Sequence, residues 1–240
     1  MEIQIAVAKT NKYASAESGD TIEFVERPNG GVSVVLSDGQ TSGRGAKTVS
    51  TIVVRKVISL LAEGVRDGAA ARAASDTLYT ERSGKVSATL TILSADFQTG
   101  TLVITRNSTT PVFVAREGKI ECLSGESGPV GTNRTIRPAI IEYPLLAGST
   151  IVMYTDGISN AGDRTGHNID VCMVLESLLD DENPSSQQIA DALLSRAIRL
   201  DDGRPNDDMS VVVMRVLPYE GELIRRMGVR LPVTGGFATF

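Results

Sequence analysis

The sequence predicts an α+β fold, in which strands and helices occur in separate blocks along the chain. Short β-type runs come first, then two helical stretches, a long series of strands, two more helices and a last strand. The third strand is too continuously apolar for a solvated face, and the first helical stretch carries an apolar stripe. A sheet sandwich with helices on its outer faces would bury both surfaces, so we expect one layered domain.

The first block contains three predicted strands and a helix pair. The strands are predicted at Ile3–Ala8, Thr21–Glu26 and Gly31–Leu36, with a hairpin turn at Arg27-Pro28-Asn29-Gly30. One helical stripe is formed by Val49, Ile52, Val53, Val57, Leu60 and Leu61. The stripe predicts a helix at Ala46–Ala62. An Ala-rich helix at Ala69–Glu81 is expected to pack antiparallel to it.

The rest of the chain returns to strands before its last helices. Strands are predicted at Thr89–Ala95, Thr101–Thr105, Pro111–Arg116, Lys119–Leu123, Ala139–Tyr143, Thr150–Tyr154 and Ser210–Leu217. Helices are predicted at Val171–Asp180 and Ser185–Ile198, the second capped by Pro184-Ser185-Ser186. We expect the domain to span residues 1–217. The tail at 218–240 has no clear pattern, and a short docked helix and a mobile end both remain open.

Composition narrows the class of protein. The 240 residues carry a net charge of −5, which argues against a nucleic-acid or anionic-membrane partner. The longest apolar stretch is broken by Arg55 and Lys56, and no signal peptide is apparent, so we expect a cytoplasmic protein. Cys122 and Cys172 lie among apolar residues without a CxxC partner, which predicts two buried, reduced thiols.

Four acidic residues in turns beside strands are the most informative feature of the sequence. They are Asp20 after Ser18-Gly19, Asp38 before Gly39, Asp156 between Thr155 and Gly157, and Asp207 before Asp208. Each alone would be read as an ordinary turn residue. Acids that converge repel one another, and a divalent cation is the natural way to neutralise them.

In this order, the acidic turns resemble those of the PP2C superfamily of metal-dependent serine/threonine phosphatases. Three further segments resemble its bacterial sporulation and stress-response branch: Asn107–Pro111, Gly128–Gly131 and Leu146–Ser149. The resemblance covers about Ser18 to Val216. It implies a four-layer α/β/β/α sandwich of two antiparallel sheets flanked by helices, and a two-metal centre at one end.

The resemblance also implies a role for each acid. Asp38 would bridge two Mn²⁺ or Mg²⁺ ions and the activated water, and Gly39 would offer its carbonyl. Asp156 and Asp207 would hold the second metal, and Asp20 would complete the centre directly or through a water. Asp208 would support the ligands without touching metal. The implied partner is a protein phosphorylated on serine or threonine.

The donor chemistry supports this interpretation independently. All candidate ligands are oxygen donors, which suit Mn²⁺ or Mg²⁺, whereas zinc prefers histidine or cysteine. The single histidine, His167, lies in a polar loop and is interpreted as solvated. The acid pairs Asp180-Asp181 and Asp201-Asp202 are interpreted as solvated helix ends. No nucleophilic triad is visible, and a metal-activated water would need none.

The sequence departs from the resembling family at the rim of the expected site. Gln40, Thr41, Ser42 and Gly43 follow the Asp38 turn where many bacterial relatives have Met or His and then Gly. These residues, with Arg44, are candidates for the substrate rim. No phosphate-clamping arginine is matched, and Lys9, Lys12 and Arg44 are substitutes by position only.

Two functions therefore remain open. The first is a free-standing phosphatase, similar in size to the small stressosome phosphatase, that acts on an anti-sigma-antagonist or stressosome-scaffold type of protein. The alternative is a catalytically weak relative that binds and regulates a signalling partner. The oligomeric state is not predicted.

Overall fold

A computed structural model describes residues 1–28, 30–125, 127–181 and 183–232, and this part of the chain forms ten strands and five helices. The strands are β1 (Glu2–Thr10), β2 (Asp20–Glu26), β3 (Gly31–Asp38), β4 (Leu90–Asp96), β5 (Thr101–Asn107), β6 (Val112–Arg116), β7 (Lys119–Leu123), β8 (Ala139–Pro144), β9 (Thr150–Tyr154) and β10 (Met209–Leu217). The helices are α1 (Gly43–Ala62), α2 (Asp67–Arg82), α3 (Asp156–Ser159), α4 (Val171–Asp181) and α5 (Ser186–Leu200).

The strands form two five-stranded sheets in which every pairing is antiparallel. One sheet has the order β1-β10-β9-β6-β7, and the other has the order β2-β3-β4-β5-β8. The last strand, β10, lies between β1 and β9, so the two ends of the folded domain meet in one sheet. The predicted fold class is confirmed.

Three apolar layers hold the sandwich together, and strand alternation explains them. Val34 and Leu36 of β3 face the other sheet, while Val35 between them packs under α1 and α2. In the same way, Val212 of β10 lies between the sheets, while Val211 packs under α4 and α5. Both faces of the central strands are buried, which is why these strands are almost wholly apolar in sequence.

The strand ends bring the acidic turns to one end of the sandwich. Asp20 begins β2 and pairs in register with Asp38 at the end of β3. In the other sheet, Tyr154 at the end of β9 pairs with Val211 near the start of β10. Asp156 and Asp207 flank this second pair of ends, so two turns from each sheet meet.

Most predicted elements are present, with shifted ends. Helix α1 begins at Gly43 rather than Ala46, and α2 spans Asp67–Arg82. The four-residue α3 was not predicted, and it begins at the acidic turn itself. The predicted cap of α5 is confirmed: the Ser185 side chain accepts from the amide of Gln188 in a capping box. The hairpin residue Asn29 lies outside the described residues.

The prediction of buried cysteines is wrong. Cys122 is exposed on the edge strand β7, and Cys172 is half-buried at the start of α4. Both are free thiols, as predicted. Both cysteines have apolar neighbours in sequence. The edge strand leaves the Cys122 side chain open to water, and the first turn of α4 leaves the Cys172 side chain partly open to water.

Residues 218–232 contain no helix or strand, and residues 233–240 lie outside the described part. Arg225 Nη1 in this segment contacts Glu26 Oε2 of β2 at 2.8 Å. The division of the chain at residue 217 stays a prediction. Among the described residues, no helix is both long and apolar enough to cross a membrane.

Candidate active site

Asp20 joins the two sheets at the acidic end of the sandwich. Its side chain is fully buried, and Oδ2 accepts hydrogen bonds from Thr155 Oγ1 at 3.0 Å and Ser210 Oγ at 2.6 Å. The other oxygen, Oδ1, is buried and has no hydrogen-bond partner. A carboxylate oxygen in this state is costly unless something else satisfies it, such as a water or a cation.

Asp38 is surrounded by the other acids. Burial and, after it, the negative charges of Asp20, Asp156 and Asp207 together raise the pKa of its carboxyl group to about 9. Burial and the charge of Asp207 also raise the pKa of Asp156. The structure therefore brings together the four acids that the sequence places up to 187 residues apart in numbering, from Asp20 to Asp207.

Close backbone packing shapes the Asp38-Gly39 turn. A Cβ atom on Gly39 would collide with the carbonyl oxygen of Ala46 in α1. Gly39 forms an isolated antiparallel bridge with Ala88, in which Gln40 N donates to Ser87 O at 2.9 Å and Thr89 N donates to Asp38 O at 2.8 Å. A residue between two such bonds directs its own carbonyl away from the partner strand. The Gly39 carbonyl therefore makes no hydrogen bond to the segment around Ala88.

The second pair of turns is equally close-packed. A Cβ atom on Gly157 would collide with the carbonyl oxygen of Asp208, so glycine lets the Asp156 turn approach the start of β10. Asp207 Oδ1 accepts a hydrogen bond from the amide of Asp208 at 2.9 Å. Asp156 and Asp207 are both half-buried at the surface of this end.

The carboxylate of Asp208 fixes the β1–β2 connection. Its Oδ1 accepts from the amide of Lys12 at 2.9 Å, and its Oδ2 accepts from the amide of Gly19 at 2.8 Å. The buried carboxylate thus ties residues 12–19 to the start of β10. This contact positions the neighbouring Asp20.

Two lysines lie beside the acids. Lys9 Nζ donates to the Asp20 carbonyl oxygen at 2.6 Å, and Lys47 Nζ donates to the same oxygen at 2.8 Å. Burial lowers the pKa of Lys9, and the charge of Lys47 lowers it further. Lys9 was considered from sequence only by position, and Lys47 was missed because its helical position gave no signal. Lys12 contributes a backbone amide to Asp208.

The predicted rim residues follow the Asp38 turn and start α1. Gln40 Oε1 accepts from the amide of Ser87 at 3.0 Å and from its hydroxyl at 3.2 Å. Thr41 has a positive φ of 82°, which is unusual for a β-branched residue. Ser42 precedes α1 without a side-chain cap, and Arg44 is 94% exposed, with Glu17 4.0 Å away.

The interpretation of Asp201 as a solvated helix end is wrong. Its carboxylate is buried and accepts from the amide of Gly162, the amide of Asn206 and the side chain of Asn206, all at 2.8–2.9 Å. Asp201 therefore connects the loop after α3 to the segment before Asp207. His167 is exposed in that loop, as predicted.

The acidic cluster fits hard divalent cations in its chemistry. It offers only oxygen donors, including the unpartnered Oδ1 of Asp20, and burial makes the charged form of its carboxyl groups unfavourable until a cation stabilises it. In the described residues, no three acidic, histidine or cysteine side chains are yet close enough to hold one ion. Metal binding would therefore require the acidic side chains to close around the ions.

Comparison with known proteins places this geometry in a family context. Residues 28–217 match the family described as Stage II sporulation protein E (SpoIIE). The Stage II sporulation protein E of Bacillus subtilis (strain 168) is 25% identical over 215 residues, which cover 89% of this chain and 26% of that protein. The protein of the same name from Priestia megaterium is 23% identical, covering 89% of this chain and 36% of its own. The chain thus spans well under half of these relatives.

Solved structures share the fold. The PP2C phosphatase domain of the Bacillus subtilis cell fate determinant SpoIIE, solved with a fragment of its regulatory domain, matches with a TM-score of 0.76 and 24% identity, covering 90% of this chain and 64% of that one. The catalytic domain of the serine/threonine phosphatase PstP, in complex with two manganese ions, matches with a TM-score of 0.70 and 17% identity. The match covers 90% of this chain and 99% of that one. RsbX in complex with magnesium matches with a TM-score of 0.68 and 16% identity, and the match covers 89% of this chain and 94% of that one.

Proposed function

Because the chain belongs to the Stage II sporulation protein E family and has the fold of PP2C-type phosphatases, we propose that it is a metal-dependent protein serine/threonine phosphatase. The observation that supports this proposal most is the cluster of four acids at one end of the sandwich, around Asp38 and the unpartnered Oδ1 of Asp20. Such a cluster has no evident structural purpose, because buried like charges destabilise the fold.

Two Mn²⁺ or Mg²⁺ ions would be held by Asp38, the Gly39 carbonyl, Asp156 and Asp207, with Asp20 acting directly or through a water. When bound, these ions supply an activated water and neutralise the charge of the phosphoryl group during in-line attack. The all-oxygen donor set and the carbonyl of Gly39, free of the neighbouring ladder, support this assignment.

The remaining residues of the site hold and balance the acids. Asp208 fixes the loop before Asp20 through the amides of Lys12 and Gly19, and Asp201 fixes the segment before Asp207. Lys9 and Lys47 place two positive charges next to the carbonyl of Asp20. With the cluster neutralised by cations, these ammonium groups would favour the approach of an anionic phosphoryl group.

The proposed substrate is phosphoserine or phosphothreonine in a cytoplasmic signalling protein of the anti-sigma-antagonist or stressosome-scaffold type. Support comes from the family match and from fold likeness to RsbX and to a protein described in the context of the bacterial stressosome. The acids alone would fit any phosphate monoester, so the peptide class must come from experiment.

Phosphate release tests the proposal. The protein should hydrolyse p-nitrophenyl phosphate and phosphoserine or phosphothreonine peptides with Mn²⁺ or Mg²⁺ present, and excess EDTA should remove this activity. Undiminished turnover in EDTA would reject the metal mechanism, and faster hydrolysis of phosphotyrosine peptides would reject the substrate class. Binding of a phosphoprotein without any turnover would favour the alternative of a regulatory binding module.

A further inference from the structure

A groove of about 370 Å³ lies directly beside the Asp38 turn. Its walls come from the rim and first turns of α1 on one side, and from the end of α2 and the segment after it on the other. The residues that matter here are Gln40, Thr41, Thr48, Val49, Arg82 and Lys85. We call this surface the basic groove, because Arg82 and Lys85 are the charged residues among the described residues that line it.

The end of α2 places both cations on this groove. Ser83 and Gly84 adopt left-handed conformations, with φ of 54° and 68°, and reverse the chain after the helix. The amide of Lys85 then donates to the Arg82 carbonyl at 3.1 Å. This tight turn keeps the two residues together and leaves both side chains exposed.

Neither cation is neutralised within the part of the chain that the structure describes. The ion pairs found there involve Arg27, Arg44 and Arg225, and not Arg82 or Lys85. No carboxylate lines the basic groove, although the whole chain carries a net charge of −5. An uncompensated positive surface on an acidic protein is a feature that an anionic partner would complement.

The basic groove is fixed to the proposed metal site. Gln40 lies two residues after Asp38. Its side-chain Oε1 accepts hydrogen bonds from Ser87, and its backbone amide donates to the Ser87 carbonyl. These bonds connect the turn that carries Asp38 to the segment that carries Lys85. Because an extended peptide advances about 3.3–3.6 Å per residue, residues only a few positions from a phosphorylated side chain at the acids would reach the groove.

We propose that the basic groove binds acidic residues that flank the phosphorylated residue of the substrate protein. This inference rests on the proposed phosphatase function and adds a sequence preference to it. It also gives a role to Gln40, where the sequence departs from related bacterial proteins: Gln40 ties the groove to the Asp38 turn. Selectivity would then come from the charge around the phosphorylated residue as well as from the phosphate.

Three phosphoserine peptides of equal length test the preference, with aspartate and glutamate, alanine, or lysine as flanking residues. With Mn²⁺ at low salt, the parent protein should show a kcat/KM for the acidic peptide about three- to tenfold above that for the alanine peptide. Added salt should reduce this ratio, because the contacts are exposed to solvent.

The double variant Arg82→Glu, Lys85→Glu should lose the preference and favour the lysine peptide, while its rate on p-nitrophenyl phosphate stays near that of the parent. The matched control is Arg196→Glu, Arg199→Glu on α5, which makes the same charge change at two exposed positions outside the groove and should keep the preference. Equal rates on all three peptides would overturn the inference. So would the same effect from both double variants.

A binding measurement separates failure of the groove from failure of the phosphatase function. Fluorescence anisotropy with phosphonate versions of the same peptides, which cannot be hydrolysed, should show tighter binding of the acidic peptide to the parent than to the Arg82→Glu, Lys85→Glu variant. This preference should appear even if no phosphate release is observed, an outcome that would reject only the proposed catalysis. Equal binding of the acidic peptide by both proteins would overturn the groove.

Discussion

At the residue scale, Asp38 has the most unfavourable environment of the proposed site. Its carboxyl group lies near Asp20, Asp156 and Asp207, and burial with these charges raises its pKa to about 9. An asparagine at this position has almost the same shape and carries no charge. The variant Asp38→Asn therefore separates the function of the carboxylate from its effect on folding.

We predict that Asp38→Asn loses most metal-dependent phosphatase activity but remains folded. Without metal, the variant should melt at a higher temperature than the parent, because the parent must either bury a charged carboxylate or protonate it at a cost in stability, and asparagine needs neither. Phosphate release with Mn²⁺ and thermal unfolding in EDTA measure the two effects. The control is Asp76→Asn, an exposed position on α2, which should change neither. Near-parental rates in Asp38→Asn would contradict the assignment.

Asp201 gives a second prediction at this scale. Because its buried carboxylate accepts three hydrogen bonds from Gly162 and Asn206, Asp201→Ala should leave buried donors unsatisfied and destabilise the protein by about 1–3 kcal/mol. Activity should also fall, since the segment before Asp207 loses its anchor. Urea unfolding and phosphate release check both, with Asp76→Ala at an exposed position of α2 as the control. Equal stability of the two variants would show that the Asp201 bonds contribute nothing.

The four acids could be found from sequence because four acidic turns beside strands occur in an order that resembles the PP2C superfamily, whereas each turn alone would be unremarkable. Asp201 and Lys47 could not be found in this way. Asp201 contacts Gly162, 39 residues away, and Lys47 reaches Asp20, 27 residues away. Which distant backbone groups a side chain meets depends on strand register and loop path, and no local pattern encodes them. The ligand roles of the acids remain predictions.

At the element scale, the contact between the Asp38 turn and α1 depends on Gly39. Since a Cβ atom there would collide with the Ala46 carbonyl, Gly39→Ala should push the turn away from α1 and lower kcat strongly. The control is Gly128→Ala, where a Cβ atom would meet no atom within 4 Å. Circular dichroism should show both variants folded. Parental kcat in Gly39→Ala would show that the turn tolerates displacement.

The regular spacing of apolar residues made most helices and strands predictable. The exceptions are segments in which this spacing or the helix propensity is weak. The apolar stripe of α1 identified the helix, but Gly43 and Gly45 in its first turn have poor helix propensity and hid its start. The four-residue α3 is too short to show a period. Cys122 was misplaced because the sequence does not reveal that β7 lies at a sheet edge.

At the scale of the whole molecule, the four-layer sandwich explains why the acids can be held together at all. Each sheet contributes two acidic turns, and the inter-sheet core fixes the turns relative to one another. The layered class followed from the sequence, and the resemblance to PP2C phosphatases supplied the four-layer order. The strand order, with β10 between β1 and β9, depends on long-range pairing and was not predicted.

The central claim is that this end of the sandwich binds two metal ions through the acidic turns. Calorimetric titration of the metal-free protein with Mn²⁺ tests it most directly and does not depend on activity. We expect about two ions per parent chain, about two for Asp76→Asn, and loss of at least one for Asp38→Asn, because that carboxylate would serve both ions. No Mn²⁺ binding by the parent, or two ions bound equally tightly by Asp38→Asn, would contradict the claim.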